Sequence, residues 1–483
     1  MFSTILLILL ILMLLITWVT IRHYKAPCKN FPPGPWGLPL LGSSAYFSKH
    51  IYKTMWELSK KYGSVYSVKM GPDCRVIVVG SDAIKECLVK KGNDYADRPP
   101  LWVFQLSNPH AYGITSARFD DAFQRRRRFC HTTLRGLGFG KTSFESKITE
   151  EISVLLDHFK RKLDIPLEVK DIINRSVSNI ICSITFGKRF EYTDPEFIYM
   201  IDTMHKWFAM IQKIFRLNAM AFLRPFYKNE INHCANLGKN LHRFCRQQID
   251  DHHAKFNEDN IRDFIDTYLA EAQKRHNSDG FCDEDLQSVL VDLFVAGTET
   301  TATTLNWALL LMILHPSIQE KVFHEIKENV GMNRLPKLDD RKHLPYTEAT
   351  LLEIQRFACI APYTLSHSAL TDSTLCGYNI PKGMVVLLIL WSLHHDPKLW
   401  PEPNKFDPNR FYDASTGTVI KHESFMPFSA GRRMCMGEQL AKHELFLYFS
   451  SMMQQFQSVK NHQLLINLFK SKQSLEEAKL IIP

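Results

Sequence analysis

The segment from Phe428 to Gly437 places one cysteine among residue types that suit a metal-bound thiolate. It reads FSAGRRMCMG and fits the spaced pattern F-x-x-G-x-R-x-C-x-G. Five fixed positions at roughly one-in-twenty usage make a chance match on the order of one in ten thousand for such a chain. A thiolate that binds haem iron must be shielded from water and oxidation. The pattern therefore predicts a haem-thiolate site with Cys435 as the iron ligand.

The other positions of this segment each have a physical reason in such a site. Phe428 supplies an apolar cover, and Gly431 lets the backbone approach the macrocycle closely. Arg433 can pair with a haem propionate, and Gly437 keeps a side chain away from the ring. The helical pattern that starts at Glu438 offers backbone N–H groups to the sulfur. The alternative is a buried cysteine in an arginine-rich loop.

This segment resembles the haem-binding signature of the cytochrome P450 haem-thiolate monooxygenases. Other stretches match the family in the same order, from the proline-rich segment near residue 32 to about residue 470. The chain looks most like the microsomal animal branch that includes drug- and steroid-oxidising members. The resemblance implies haem b (iron protoporphyrin IX) as cofactor, O2 as co-substrate, and NADPH used only indirectly, through a reductase.

A long helical pattern from Leu286 to Leu314 carries small and hydroxyl residues at its centre. A glycine inside a helix costs about 1 kcal/mol against alanine, so Gly297 needs a reason. We expect Ala296 and Gly297 to leave room for dioxygen and substrate beside the iron. The hydroxyl of Thr300 can bond the carbonyl of Ala296 one turn earlier. The resemblance gives Thr300 and its neighbour Glu299 the catalytic role of proton delivery, whereas a small-residue packing seam is the alternative.

Glu353 and Arg356 place opposite charges three residues apart on one helical face. Such pairs are usually surface features of small energy. The resemblance matches them to the family's E-x-x-R motif and matches Arg410 to its partner arginine. It implies a buried network that supports the haem-ligand loop rather than a catalytic role.

Four consecutive arginines occupy residues 125–128. Successive helical residues point about 100° apart, so all four cannot serve one site. The family pattern W-x-x-x-R assigns Arg127 to a haem propionate, and we expect the others to face an acidic redox partner. The tryptophan position holds Phe123, which removes an indole N–H. Arg98 and His367 resemble further propionate contacts.

The sequence pattern predicts a mainly α body with a minor β region, and the resemblance implies that these elements form a cytochrome P450 fold. Residues 51–62 read as an amphipathic helix, and residues 119–330 are overwhelmingly helical in pattern. The predicted strands lie at Val65–Met70, Cys74–Val79, Leu375–Ile380 and Val385–Ile389. By resemblance, Met200–Phe226 is expected to form a lid over a substrate pocket. The pocket is expected to be completed by Trp102–Tyr112, Phe294 and Ala361–Leu365.

The chain starts with an apolar run that predicts a single-pass membrane anchor over residues 1–21. Twenty helical residues span roughly 30 Å, the hydrocarbon thickness of a bilayer. A cleaved signal peptide is the alternative, but neither a preceding basic segment nor a small-residue cleavage site is evident. Basic residues follow the run, which predicts a cytosolic body on the endoplasmic reticulum membrane. Residues 22–42 then form a basic, proline-rich hinge, and residues 43–483 form the haem-thiolate catalytic domain.

Composition narrows the class of protein further. The chain has 483 residues, of which 45% are hydrophobic, so wholesale disorder is excluded. Its net charge of +9 suits an anionic membrane surface or an acidic protein partner, and no nucleic-acid module accompanies it. The 11 cysteines are scattered without a Cys-x-x-Cys motif, which argues against a disulfide framework.

These observations predict a membrane-anchored haem-thiolate monooxygenase that hydroxylates or epoxidises a lipophilic small molecule. Its expected partners are membrane lipid and NADPH-cytochrome P450 reductase, with cytochrome b5 as a further candidate. One rival is an enzyme of the same fold that rearranges an oxygenated substrate without a reductase. The other is a membrane-bound haem-binding or ligand-sequestering protein without turnover.

Overall fold

The computed structural model describes residues 13, 26–38, 41–46, 50–107, 113–137, 142–161, 169–276 and 280–456. Helices dominate this part of the chain. The α-helices are α1 (Ile51–Tyr62), α2 (Ser81–Lys85), α3 (Trp102–Gln105), α4 (Asp121–Gly136), α5 (Thr142–Lys160), α6 (Val169–Thr185), α7 (Pro195–Ile214), α8 (Lys228–Lys255), α9 (Phe264–Lys274), α10 (Asp283–Leu314), α11 (Pro316–Asn329), α12 (Pro345–Ala358), α13 (Trp391–His395) and α14 (Glu438–Gln455).

The described strands form one four-stranded sheet and two short hairpins. They are β1 (Val65–Met70), β2 (Asp73–Val79), β3 (His367–Ser368), β4 (Ser373–Leu375), β5 (Tyr378–Ile380), β6 (Val385–Ile389), β7 (Tyr412–Asp413) and β8 (Thr418–Val419). The larger sheet has the order β1-β2-β6-β3, with β2 and β6 parallel and the other neighbours antiparallel. The parallel pair joins residues over 300 positions apart, such as Val76 and Val386. This pairing brings the segment after α1 next to the segment before α13.

Helix α10 runs through the middle of the helical part and contacts α6, α8, α12 and α14. Three acidic residues occupy its first turn, where they favour the positive end of the helix dipole. It ends at Leu314, immediately before His315 and Pro316. Because α10 is apolar around most of its circumference and surrounded by other helices, it belongs to the main hydrophobic core. Residues on α10 are therefore held by packing from several sides.

The predicted mainly α body with a minor β region is confirmed. Helix α1, strands β1, β2 and β6 and the long central helix lie where the sequence predicts them, within three residues at each end. The span predicted as one strand from Leu375 to Ile380 is instead a hairpin of β4 and β5, because the backbone turns at Cys376 and Gly377, both of positive φ.

The predicted anchor over residues 1–21 lies outside the described residues, apart from Met13. Of the hinge, residues 22–25 and 39–40 also lie outside them. Within the part of the chain that the structure describes, no helix combines the length and the apolar character needed to cross a membrane.

Candidate active site

The loop before α14 is held by its own backbone. The N–H of Cys435 donates to the carbonyl of Phe428 at 3.0 Å, and the N–H of Met434 donates to that of Gly431 at 3.1 Å. Gly431 has φ +74°, and a Cβ there would lie 1.9 Å from the carbonyl oxygen of Leu88. Only glycine therefore fits this close approach between two backbones. The neighbouring segment is thus one reason for glycine at 431.

Cys435 is accessible to solvent at its surface but has protein on most sides. This desolvation raises the pKa of its thiol, while a hydrogen bond from the Gly437 backbone and the charge of Arg127 oppose the rise. A Cβ at Gly437 would meet no protein atom within 4 Å. Protein packing therefore does not require glycine at 437.

One cavity joins segments that are far apart in sequence. Its open volume is about 470 Å³, including the space at its mouth. It brings Thr300 of α10, Phe428 of the cysteine loop and Ala361 of the segment after α12 onto one surface. The lining residues are Thr300, Thr301, Thr304, Gln355, Cys359, Ile360, Ala361, His394, Pro427, Phe428, Ala441 and Leu445.

The centre of α10 has the predicted hydroxyl contact. The Oγ1 of Thr300 donates to the carbonyl of Ala296 at 2.7 Å, and both residues keep exposed surface although they lie in mid-helix. Gly297 has a packing role that the sequence does not indicate. A Cβ there would lie 2.4 Å from Cδ1 of Ile181 on α6. The glycine at 297 therefore lets the Ile181 side chain pack closely against α10.

Glu299 has a partner that the sequence does not indicate. Its Oε2 lies 3.1 Å from Nε2 of His205 on α7, and Nδ2 of Asn174 on α6 lies 3.1 Å from the same ring nitrogen. Burial raises the pKa of Glu299, but His205 and the charge of Lys170 outweigh it and leave the pKa below its usual value. No sequence spacing links residues 174, 205 and 299. The contact results from the packing of α6, α7 and α10 and could not be predicted from the sequence.

The structure brings together the four residues that are predicted to bind the haem propionates. Arg98 donates to the carbonyl oxygens of Leu365 and Ser366, and Arg433 donates to those of Ala96 and Ala117. Arg127 donates to the carbonyl of Met434 at 2.5 Å, and His367 contacts the Tyr95 carbonyl at 2.8 Å. Hydrogen bonds to backbone carbonyl oxygens therefore fix the orientation of these side chains.

This cation cluster, defined by Arg98, Arg127, Arg433 and His367, carries unbalanced positive charge on its three arginines. Burial and the neighbouring arginines lower the pKa of Arg98 to about 10 and that of Arg433 to about 9. Burial, Arg98 and Arg433 lower the pKa of His367 to about 3. Among the described residues, none of the three guanidinium groups forms an ion pair with a carboxylate. An anionic group is what this arrangement is built to accept.

Two residues of α4 refine the predictions for the arginine run. Phe123, at the family's tryptophan position, is fully buried with its ring centroid 3.8 Å from the guanidinium of Arg433. It therefore keeps an aromatic face under the arginine. The prediction that Arg126 faces a redox partner is wrong, because Arg126 is buried and pairs with Asp285 at 2.8 Å. Arg128 is exposed.

Glu353 and Arg356 form a buried bidentate pair with distances of 2.7 and 2.8 Å, and neither side chain is exposed. Arg356 also donates to the carbonyl of His394 at 2.7 Å. Nε of Arg410 lies 3.6 Å from the Glu353 carboxylate, and Arg410 donates to the carbonyl of Glu402. The three residues are thus brought together, with Glu353 as the common anion.

The predicted pocket segments are only partly joined to this cavity. Ala361 lines it, whereas Phe222 and Phe226 of the predicted lid are exposed on the surface. Phe294 is buried in α10 but does not belong to the lining. Residues 108–112 of the predicted pocket lie outside the described residues.

A cysteine loop, a hydroxyl-bearing helix across a cavity and an unbalanced cation cluster define the class of haem-thiolate proteins. The model of the family described as cytochrome P450 matches residues 32–478, and the chain belongs to that family. The predicted resemblance is confirmed, and the chain is a monooxygenase of this family, which uses haem and O2 to oxidise lipophilic molecules.

Three mammalian relatives illustrate the likeness. The chain is 38% identical over 463 residues to cytochrome P450 2B2 of Rattus norvegicus, covering 94% of this chain and 93% of that protein. It is 36% identical over 479 residues to cytochrome P450 2U1 of Bos taurus, with 93% and 88% covered. It is 39% identical over 436 residues to cytochrome P450 2J2 of Homo sapiens, with 89% and 86% covered.

The residues present fit the haem that the family implies. The charge of Arg127 acts on Cys435, and Arg98 and Arg433 are buried near Arg127 without a carboxylate partner among the described residues, whereas haem carries two carboxylates. Cys435 would supply the thiolate ligand, and Arg98, Arg127, Arg433 and His367 would hold the propionates.

Proposed function

We propose that this chain is a membrane-anchored monooxygenase that inserts one atom of O2 into a lipophilic small molecule, by hydroxylation or epoxidation. The observation that carries the proposal is the cavity that Thr300 of α10 and Phe428 of the cysteine loop both line. Arg127 of the cation cluster acts on Cys435 of the same loop, which supports it. When bound, haem supplies the electron transfer and oxygen chemistry.

The chain's own residues prepare that chemistry in separate ways. The backbone N–H of Gly437 and the charge of Arg127 favour the thiolate form of Cys435. Phe428 lines the cavity with an apolar ring and would limit access of water to the sulfur. Thr300 holds its hydroxyl toward the carbonyl of Ala296 and presents an oxygen to the cavity. With Glu299 as its acidic neighbour, it would organise proton delivery.

The membrane and the redox partner complete the proposal. Residues 1–21 would anchor the chain in the endoplasmic reticulum membrane, with the hinge at 22–42 spacing a cytosolic body from it. Electrons would come from NADPH-cytochrome P450 reductase, with cytochrome b5 as an additional donor. The net charge of +9 supports an acidic partner. A mostly apolar cavity supports a lipophilic substrate that partitions from the bilayer.

A carbon-monoxide difference spectrum of the dithionite-reduced membrane protein tests the ligand. Wild type should show the red-shifted Soret band of a thiolate–iron–carbonyl complex, and Cys435→Ala should lose it. Cys376→Ala is the matched control, because Cys376 is also exposed but lies against Glu86, away from the cavity. An unshifted band in wild type would contradict the thiolate site.

Turnover with the reductase separates the proposal from its two rivals. Product formation coupled to NADPH consumption is expected. Product formed from an oxygenated precursor without reductase would indicate the rearranging enzyme. Haem binding without any product would favour the ligand-sequestering protein.

A further inference from the structure

Three side chains of metal-binding type meet where the end of α8 contacts the start of α9. His252 lies in the last turn of α8, Asp263 caps α9, and Asp266 lies in the first turn of α9. Their ligand atoms all lie within 4.8 Å of one another, and all three residues are buried. Among the residues that the structure describes, no other group of three such side chains converges this closely. None of the three lines the cavity of the proposed active site.

Both ring nitrogens of His252 face oxygen acceptors. Nδ1 lies 2.6 Å from the backbone carbonyl oxygen of Gln248, and Nε2 lies 2.9 Å from Oδ2 of Asp263. A neutral imidazole has one N–H group, so it can donate to only one of these oxygens. The other nitrogen therefore needs either a second proton or a metal ion between itself and its oxygen.

The contact with Gln248 is the one that a metal-bound histidine makes. Such a histidine commonly donates its other N–H to a backbone carbonyl, which fixes the ring. With Nδ1 held by Gln248, Nε2 is the nitrogen that faces the carboxylates. Gly187 permits this position of Asp263, because a Cβ at 187 would lie 2.5 Å from Oδ2 of Asp263. An imidazole ligand favours a transition metal over Mg²⁺ or Ca²⁺, which prefer oxygen ligands.

Arg262 is the partly exposed member of this cluster. Its Nε donates to Oδ2 of Asp266 at 2.6 Å, and a terminal nitrogen donates to Oδ1 at 2.8 Å. The Arg262 side chain is 35% exposed, so it can turn into solvent. Two buried carboxylates call for two positive charges, and a divalent ion beside a neutral imidazole supplies both. The guanidinium is therefore a competitor of such an ion.

We propose that His252, Asp263 and Asp266 form a zinc site, with a water molecule as the fourth ligand at the position that Arg262 leaves. The ion would join the end of α8 to the start of α9. It would thereby stabilise α8, which packs against α7 and α10. The site uses none of the residues that would hold haem, so its test does not depend on the proposed function.

The zinc content of the protein is the first test. Full-length protein is freed of metal with a chelator, equilibrated with micromolar zinc sulfate and washed, and its zinc is measured by plasma mass spectrometry. Wild type should retain about one equivalent more than His252→Gln. His253→Gln is the matched control and should retain the wild-type amount, because His253 is next in sequence but exposed beside Asp283.

Two results would overturn the proposal. Equal zinc in wild type and His252→Gln would indicate an adventitious ion only. Absence of zinc from wild type would leave a second proton on His252 as the species that bridges it to Asp263. Far-UV circular dichroism of His252→Gln shows whether that variant is folded.

Arg262→Gln tests the site without changing a buried ligand. Zinc affinity, measured by competition with a fluorescent zinc chelator, should rise about tenfold because the competing guanidinium is gone. Arg275→Gln is the control, since Arg275 forms a similar pair with Glu271 on the same helix and should leave the affinity unchanged. An affinity in Arg262→Gln that is equal to that of wild type, or weaker, would overturn the proposal.

X-ray absorption at the zinc edge identifies the ligands in the full-length protein. The proposal requires a single imidazole together with oxygen ligands at roughly 2.0–2.2 Å. Two or more imidazoles, or a sulfur ligand, would place the ion elsewhere and overturn the assignment.

Discussion

Two groups of buried arginines lie in this molecule, and they are balanced in different ways. At the end of α12, Arg356 faces a carboxylate, because Glu353 meets it through two short contacts and nothing of either side chain is exposed. In the cation cluster, Arg98 and Arg433 face carbonyl oxygens and each other instead. The nearby carboxylate of Asp97 is already occupied by Arg118.

The difference separates scaffold from site. Burying a charge costs several kcal/mol unless an opposite charge repays it, so a balanced pair can serve the fold alone. An unbalanced cluster weakens the fold until an anion binds. The pKa of every group in the cation cluster is lowered, whereas Arg356 is paired with Glu353. The cluster is therefore the place where a ligand is expected to bind.

Breaking the balanced pair should have the largest effect. Glu353→Gln leaves the charge of Arg356 buried among carbonyl groups, and we expect a loss of about 3–5 kcal/mol in the free energy of unfolding. Urea unfolding measures this loss, and haem retention should fall with it. Glu57→Gln removes an exposed pair with Lys60 and should cost under about 1 kcal/mol. Similar losses in both variants would contradict the comparison.

A single buried acid sharpens the comparison. Glu444 on α14 is 1% exposed, and burial raises its pKa to about 8 although Thr301 hydrogen-bonds to it. A raised folded-state pKa gives stability that is present below the unfolded pKa and is lost as pH rises toward the folded value. From about pH 6 to about pH 8, wild type should lose up to about 2 kcal/mol relative to Glu444→Gln.

Unfolding free energies of both proteins at the two pH values check this expectation. Parallel pH dependence of wild type and Glu444→Gln would show that the carboxyl does not titrate in this range.

Removing one cation from the unbalanced cluster should weaken the ligand rather than the fold. Arg127→Gln keeps a donor for the Met434 carbonyl but loses the charge, and we expect haem affinity to fall about tenfold. Transfer of haem to an apoglobin acceptor measures this change. Arg128→Gln is the control, since Arg128 is exposed and next in sequence. Equal haem loss from both variants would remove the argument for Arg127.

The smallest effect on the free energy of unfolding is expected at Phe123, whose ring contacts Arg433 of the cation cluster. Phe123→Leu removes the aromatic face 3.8 Å from the Arg433 guanidinium and should cost about 1 kcal/mol in unfolding free energy. Phe119 lies farther from the same guanidinium, at 5.7 Å, so Phe119→Leu should cost less. The reverse order would show that the cation contact at Phe123 is not the main term.

Local sequence patterns predict much of the fold because their signals are short-range. Helical periodicity marks α1 and the central helix, and alternation with a Gly-Pro turn marks β1 and β2. The parallel pairing of β2 with β6 has no such signal, since it joins residues more than 300 positions apart. The contact of Thr300 with Ala296 could be predicted, because both atoms lie within one helical turn.

The sequence by itself determined the class of site, through one cysteine with its glycines, arginine and phenylalanine at fixed spacing, and most of the helices that carry it. Only the tertiary structure decided that Arg126 is buried against Asp285, that Gly297 makes room for Ile181, and that His205 meets Glu299. The physical reason is the same in each case. These contacts are made between elements distant in sequence, where packing, not local spacing, sets which side chains meet.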